Sequence, residues 1–306
     1  MTAGASVPNK IAKPLFPRHA ASRLTVTGER VLFVSSGAST SEITMAKTTP
    51  GELAMTLLYE GGLRLLSTNG KDVVFADAYS TIGSTDRVGS MPKYFGGWAW
   101  SLAMDDRDVF YTRRGVAKDG SDSSVWRVPI GGSGAGTQIA IGPVGSGLAR
   151  DVSGLYVASA YTPPFETPVL GIAWLDPAGE SVRLLASRAA FSDGYLALTP
   201  SLVAVLAEGK TPEIFTVAKS DGTVHTLTTV AEPYERELHA DATHAYWVEA
   251  KQIRRVALDG TKPAETVFAG ACSPVSIALD SEHLYFLTSP PIAGKGNTTV
   301  WKMKKP

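Results

Sequence analysis

The stretch Leu102–Tyr111 (LAMDDRDVFY) returns three more times, as Leu148–Val157 (LARDVSGLYV), Leu238–Trp247 (LHADATHAYW) and Ile277–Phe286 (IALDSEHLYF). Each copy runs from an aliphatic residue through a small or polar pair to an aspartate. Three turn residues follow, then an aliphatic–aromatic pair. The anchors are Asp105, Asp151, Asp241 and Asp280, and looser copies place Thr27, Asn69 and Thr199 at the same point. Successive anchors lie 36 to 48 residues apart. Asp, Asn and Thr suit a tight turn, because their short side chains accept hydrogen bonds from backbone amides just ahead.

Working outward from each anchor, a polar loop leads to a third apolar segment. These are Ile43–Ala46, Val88–Met91, Val125–Val128, Ile172–Leu175, Ile214–Val217, Ile253–Val256 and Val300–Met303. Glycine-containing turns such as DPAGE, SDGT and LDGTK come next, where glycine supplies the positive φ a hairpin needs. A fourth short strand then closes most units (MTLLY, TQIAI, VRLLA, HTLTT, ETVFA). Four antiparallel strands in every unit of about 42 residues is the signature of a β-propeller blade. No segment carries a capped 3.6-residue period, so helix should be scarce. The expected fold is an all-β, seven-bladed propeller occupying 1–306 as one domain, with six blades as the alternative if the irregular second repeat is an insertion. The last repeat lacks its fourth strand, and Pro8–Pro17 is expected to supply it and close the ring.

The elements Ala245–Gly260 (AYWVEAKQIRRVALDG) and Leu284–Met303 (LYFLTSPPIAGKGNTTVWKM) resemble the YWTD-type propellers of low-density-lipoprotein-receptor-like proteins and their bacterial relatives. The tetrad itself is absent, since Tyr246-Trp247 is followed by Val248-Glu249. The resemblance implies an extracytoplasmic binding module and names no ligand. Fold alone does not fix function.

Composition narrows the classes. Lys plus Arg and Asp plus Glu are 29 each, so the chain is formally neutral, which argues against nucleic acid as a partner. No apolar stretch approaches the roughly 18 residues that span a bilayer. One cysteine, Cys272, excludes an intrachain disulfide and a thiolate zinc site. The segment Lys118–Ser124 is oxygen-rich but lacks calcium-loop spacing. No cofactor and no metal are expected.

Long loops should gather on the face that carries the blade-to-blade crossovers, and Phe191–Gly194 and Glu232–Glu237 are read as crossovers there. Candidate partner-binding residues on that face are Tyr79, Trp98, Trp100, Arg113, Arg114, Tyr161, Phe191, Tyr234 and Arg236. Aromatic planes stack on sugar rings or anchor protein partners, and guanidinium groups grip carboxylates. Candidate channel residues are Arg64, Arg150, Glu237 and His239, set among Leu, Ala and Ser on the inner strands. A lone His with a lone Asp does not make a metal site, and no catalytic residue is assigned. The function expected is a non-enzymatic propeller that recognises a protein or glycan partner through its long-loop face, as a monomer. The alternative is a hydrolase or lyase acting on a sugar or lactone at the channel mouth; a third reading is a structural subunit packed by its blade edges. MTAGASVPNK shows no signal peptide, so a native Met1 implies the cytoplasm, whereas a processed N-terminus implies the periplasm or cell surface. The family resemblance favours the second.

Overall fold

The computed structural model describes residues 9–12, 20–28, 30–36, 41–48, 55–59, 63–77, 82–85, 93–95, 99–113, 115, 122–132, 134, 136–142, 145, 147–161, 167–231, 233–270, 273–289 and 299–306. Their strands form seven four-stranded antiparallel sheets, and no helix occurs among the described residues. Blades 1 to 6 are continuous in sequence, at 20–59, 63–95, 101–141, 148–189, 191–229 and 233–269. Blade 7 takes three strands from 273–304 and its outermost strand, Asn9–Ala12, from the other end of the chain. Asn9 pairs with Lys302 and Lys10 with Trp301. The first strands of adjacent blades touch one another all the way round, so they are innermost and line a central channel.

Seven blades, not six, is the count, because the second repeat forms a complete sheet. Its third strand is Ile82–Thr85, not Val88–Met91 as the hydrophobic pattern suggested. Within that strand the Phe75 ring lies over Gly83, where a Cβ would come within 2.6 Å of Phe75 Cζ, and Val88–Met91 lies outside the described residues. Two expected crossovers are also strands. Phe191–Leu198 and Pro233–Ala240 are the inner strands of blades 5 and 6.

Second strands are sandwiched between two neighbouring sheets, so apolar residues run on without alternation. In Asp108–Arg113 four consecutive residues are buried, and in His244–Glu249 five. The aromatic half of each repeat fills the wedge between blades, with Tyr111, Tyr156, Tyr246, Trp247, Tyr285 and Phe286 all buried. Full burial of such rings stabilises each by roughly 1.5–3 kcal/mol.

The anchor residues do more than turn the chain. Asp241 Oδ1 accepts the amides of Thr243 and His244 at 2.9 Å, while Oδ2 accepts the Tyr246 hydroxyl at 3.0 Å and Lys305 Nζ, from blade 7, at 2.9 Å. Asp151 is gripped the same way by Lys219 of blade 5, and Asp105 by Arg150 of blade 4 at 3.4 Å. Asn69 holds the Lys71 and Asp72 amides and donates through Nδ2 to the Asp105 carbonyl of blade 3 at 3.1 Å. One polar side chain thus shapes the turn and fastens it to the following blade. Burial pushes the Asp151 and Asp241 carboxyls up, yet the donors outweigh it and hold both below the usual range.

The hairpin glycines serve the same seam. Gly222 of blade 5 has φ +79° and abuts blade 4, where a Cβ would lie 2.0 Å from the Leu185 carbonyl oxygen. Gly260 seats against the His225 ring in the same fashion.

Two outcomes follow from these contacts. Gly222→Ala combines a forbidden φ with a backbone clash and should lower unfolding stability by roughly 1–3 kcal/mol, read from a urea transition. A carboxyl depressed in the folded state stabilises above its unfolded value, near 3.9, and loses that contribution as pH falls. The urea midpoint should therefore drop between pH 5 and pH 2.5, and drop less in Lys219→Met, where Asp151 has lost its lysine.

Candidate ligand site in the central channel

On each inner strand the residues four and two places before the anchor share one side, because strand side chains alternate. That level of the ring brings together Arg23 (before Thr27), Tyr195 (before Thr199), and Glu237 with His239 (before Asp241). Blades 3 and 4 contribute only Ser101 and Gly147 there, which leaves the centre open. The result is a cavity of about 400 Å³, walled by these side chains and by Trp100 at the crossover end. Ligand pockets commonly run from about 300 to 1,000 Å³.

Arg23 owes its position to a bulge. Ser22 pairs with Val34 and Leu24 with Phe33, so Arg23 is an extra residue, and its φ of 54° places a non-glycine residue in the left-handed region. The consequence is a network across three blades. Arg23 Nη1 donates to Glu237 Oε1 at 3.0 Å. Glu237 Oε2 accepts the Ser276 hydroxyl at 2.7 Å, and Ser276 Oγ in turn accepts the Leu24 amide at 2.9 Å. Blades 6, 7 and 1 are stitched together from inside, at the blade that closes the ring.

The electrostatics are those of a partly dry channel. Burial raises the Glu237 carboxyl above its usual range, opposed by the Arg23 guanidinium, the Ser276 hydroxyl and the Ile277 amide. Burial first, and the charge of Arg23 second, push His239 down to about 4. The imidazole is therefore neutral at physiological pH. Among the described residues, no three or more His, Cys, Asp or Glu gather in a way that could hold a metal ion.

Of the residues singled out by sequence, Glu237, His239 and Trp100 line this cavity. Arg150 does not. It is one place before its anchor, on the other parity, and points between blades, with its guanidinium 3.4 Å from Asp105 and 5.9 Å from the Phe110 ring centre. Phe191 is buried in the blade 4–5 core beneath Arg188, so it is not a surface contact. Arg113 is exposed at the end of its strand, 6.0 Å over the Trp126 ring. Tyr79, Trp98, Arg114 and Cys272 lie outside the described residues, as do most of the long loops. Arg64, Tyr161, Tyr234 and Arg236 lie on described strands, but their side chains are outside the description. Arg23 and Tyr195 were missed by sequence reading. Aligning the repeats on their anchors would have found both, at the level of Glu237.

Fold and channel together define a seven-bladed β-propeller closed by its N-terminal strand, with a polar, ligand-sized hollow on its axis. No protein-family model matches the sequence, and no curated protein does. Among solved structures, the chain is similar to the β-propeller domain of the Trilobed protease from Pyrococcus furiosus, at 12% identity and a TM-score of 0.69, spanning 94% of this chain and 97% of that one. It is similar to an oligogalacturonate lyase in complex with manganese, at 12% identity and a TM-score of 0.66 over 98% and 96% of the two chains. It is also similar to a chain of a nidogen–laminin complex, at 18% identity and a TM-score of 0.51 over 82% and 94%. Likeness at this identity establishes the propeller fold, and not membership of the YWTD family.

The position of His239 has a direct readout. By NMR its ring should titrate near pH 4, and Arg23→Met should move that value upward by removing a facing charge. Since the folded pKa lies below the unfolded one, near 6.5, stability falls as pH drops from about 6.5 towards 4. A native ring titrating at 6.5 contradicts the placement.

Proposed function

We propose that this protein is a non-catalytic recognition propeller, a monomeric ring that binds a protein or glycan partner at its crossover face and receives the partner's protruding group in the channel. The observation that carries this is the cavity itself. Donors, acceptors and two aromatic rings, Trp100 and Tyr195, converge on one open volume built on rigid strands. Rigid, preformed sites of this kind bind with little ordering penalty. A hydrolase or lyase needs a proton-transfer pair aimed at substrate. Here both Glu237 oxygens are engaged by Arg23 and Ser276, which fits a positioning role better than an acid–base one. An extracytoplasmic setting follows from the resemblance to YWTD-type propellers.

The test is a panel of purified glycans and glycopeptides titrated calorimetrically against the wild type and the Trp100→Ala and His239→Ala variants. Binding that each variant weakens about tenfold or more, with no change in the ligand on prolonged incubation, supports the reading. Ligand cleavage overturns it, and binding indifferent to both variants removes the channel from recognition.

A further inference from the structure

The outermost strand of blade 4, Val182–Ala189, is eight residues long, whereas the outermost strands of the other six blades have three to six. Bonded and non-bonded pairs alternate along an antiparallel ladder, and in a non-bonded pair the N–H and C=O of each residue point away from the partner strand. Two hydrogen bonds fix the phase here. The Asp176 amide donates to the Ser181 carbonyl at 2.9 Å, so the pairs Leu175–Val182 and Ala173–Leu184 further along are non-bonded. At the other end the Ala190 amide donates to the Pro168 carbonyl at 2.8 Å, which makes Val169–Ala189 and Gly171–Ser187 non-bonded as well. Val182, Leu184, Ser187 and Ala189 therefore turn their main-chain donors and acceptors outward, in two sets divided by a bulge at Leu185.

All four of these residues are exposed and none is charged. Val182 and Leu184, at 60% and 64% exposure, share one face of the strand. The strand's two cations are drawn to blade 5. Arg188 pairs with Glu213, and Arg183 donates to the Lys219 carbonyl at 2.8 Å and the Ser220 carbonyl at 3.5 Å. Proteins usually guard a free edge with short length, proline or outward charge, and a long uncharged edge is a template for another strand. This one is also held rigid from behind by its bonds to blade 5.

We propose that the free edge of blade 4 is a second docking surface, which takes an extended segment of a partner protein as a fifth strand. The segment sets an acidic residue between two apolar ones. Strand addition of this kind draws affinity from main-chain bonds and specificity from alternate side chains. Residues opposite one another across a ladder share a face. Apolar side chains opposite Val182 and Leu184 extend the exposed apolar pair. The residue between them lies on the face of Arg183, whose guanidinium bonds two carbonyl oxygens and, among the described residues, no carboxylate. An acidic side chain there gains a charge-assisted bond. A second copy of the ring fits less well than a flexible segment. Two rigid rings meeting along this edge would share eight residues a side, about a third of the roughly 20–30 a stable interface uses. The edge lies on the outer rim, and what the channel binds does not bear on it.

The test selects phage-displayed random octapeptides against the full chain. Enriched peptides are synthesised, titrated by fluorescence anisotropy and followed by residue-resolved amide hydrogen exchange. Expected are peptides with the apolar–acidic–apolar pattern that slow exchange at Val182, Leu184, Ser187 and Ala189 by about tenfold or more. The amides of Arg183 and Arg188, already bonded within the blade, should change little. Leu184→Pro removes an outward N–H that the blade itself does not use, so the variant should fold and bind about tenfold or more weakly. If it fails to fold, Leu184→Lys leaves the main chain intact, places a charge on the edge and should weaken binding likewise. Selection that enriches no peptide overturns the proposal, and so do peptides that leave the four amides exchanging freely. Edge binding by peptides without the acid overturns the assigned partner chemistry. Protection of the same amides that rises with protein concentration alone, with a dimer in sedimentation, gives the edge to a second copy and overturns the partner segment. The saccharide titrations of the channel variants read out separately from every one of these results.

Discussion

A blade of this ring is held at its angle by what fills the wedge beside it. Second strands are covered on both faces, and their aromatic residues, from Tyr111 to Phe286, have almost no surface left. Such packing is non-directional and would tolerate some rocking of one sheet on the next. The anchors remove that freedom. Each of Asp105, Asp151 and Asp241 ties its own turn and then takes a cation from the following blade, so a local motif becomes a ring-wide fastening. Because a blade touches only its two neighbours, the whole circle depends on these seams being alike.

The channel inherits its character from that regularity and from the way the ring closes. Among the described residues much of the wall is small and aliphatic, with Trp100 and Tyr195 as its aromatic members. At the closing blade, a bulge in blade 1 turns Arg23 inward, and Ser276 relays between the Leu24 amide and Glu237. The charges in the hollow are thus part of the closure, and the polar surface a ligand meets is also the inner stitch of the ring. A site of this construction is preorganised, because its side chains are already held by one another.

The repeat, the blade count and the closing strand were legible because their causes are local or periodic. An Asx turn needs residues within three positions, and a sandwiched strand announces itself by an unbroken apolar run such as Val109–Tyr111. The second repeat misled because its third strand is short and depends on Gly83 making room for Phe75, a contact no linear pattern displays. In the channel, Glu237 and His239 stood out as polar residues on inner strands. Arg150 looked equivalent, but a shift of one position places it on the opposite side. Arg23 stands four places before Thr27, as Glu237 does before Asp241, and only an alignment of the repeats on their anchors displays that match.

The short strand Asn9–Ala12 has a mechanical meaning. It runs antiparallel to Thr299–Lys304, so its leading end lies beside the trailing end of its partner. Tension applied through the two ends of the chain would load that ladder one rung at a time, peeling it, whereas a sheared ladder shares the load among all its bonds. The other six blades would feel little until the last rung parted. The ring therefore has a designated place to open under pull, and its remaining sheets can survive the event as an uncut arc ready to close again.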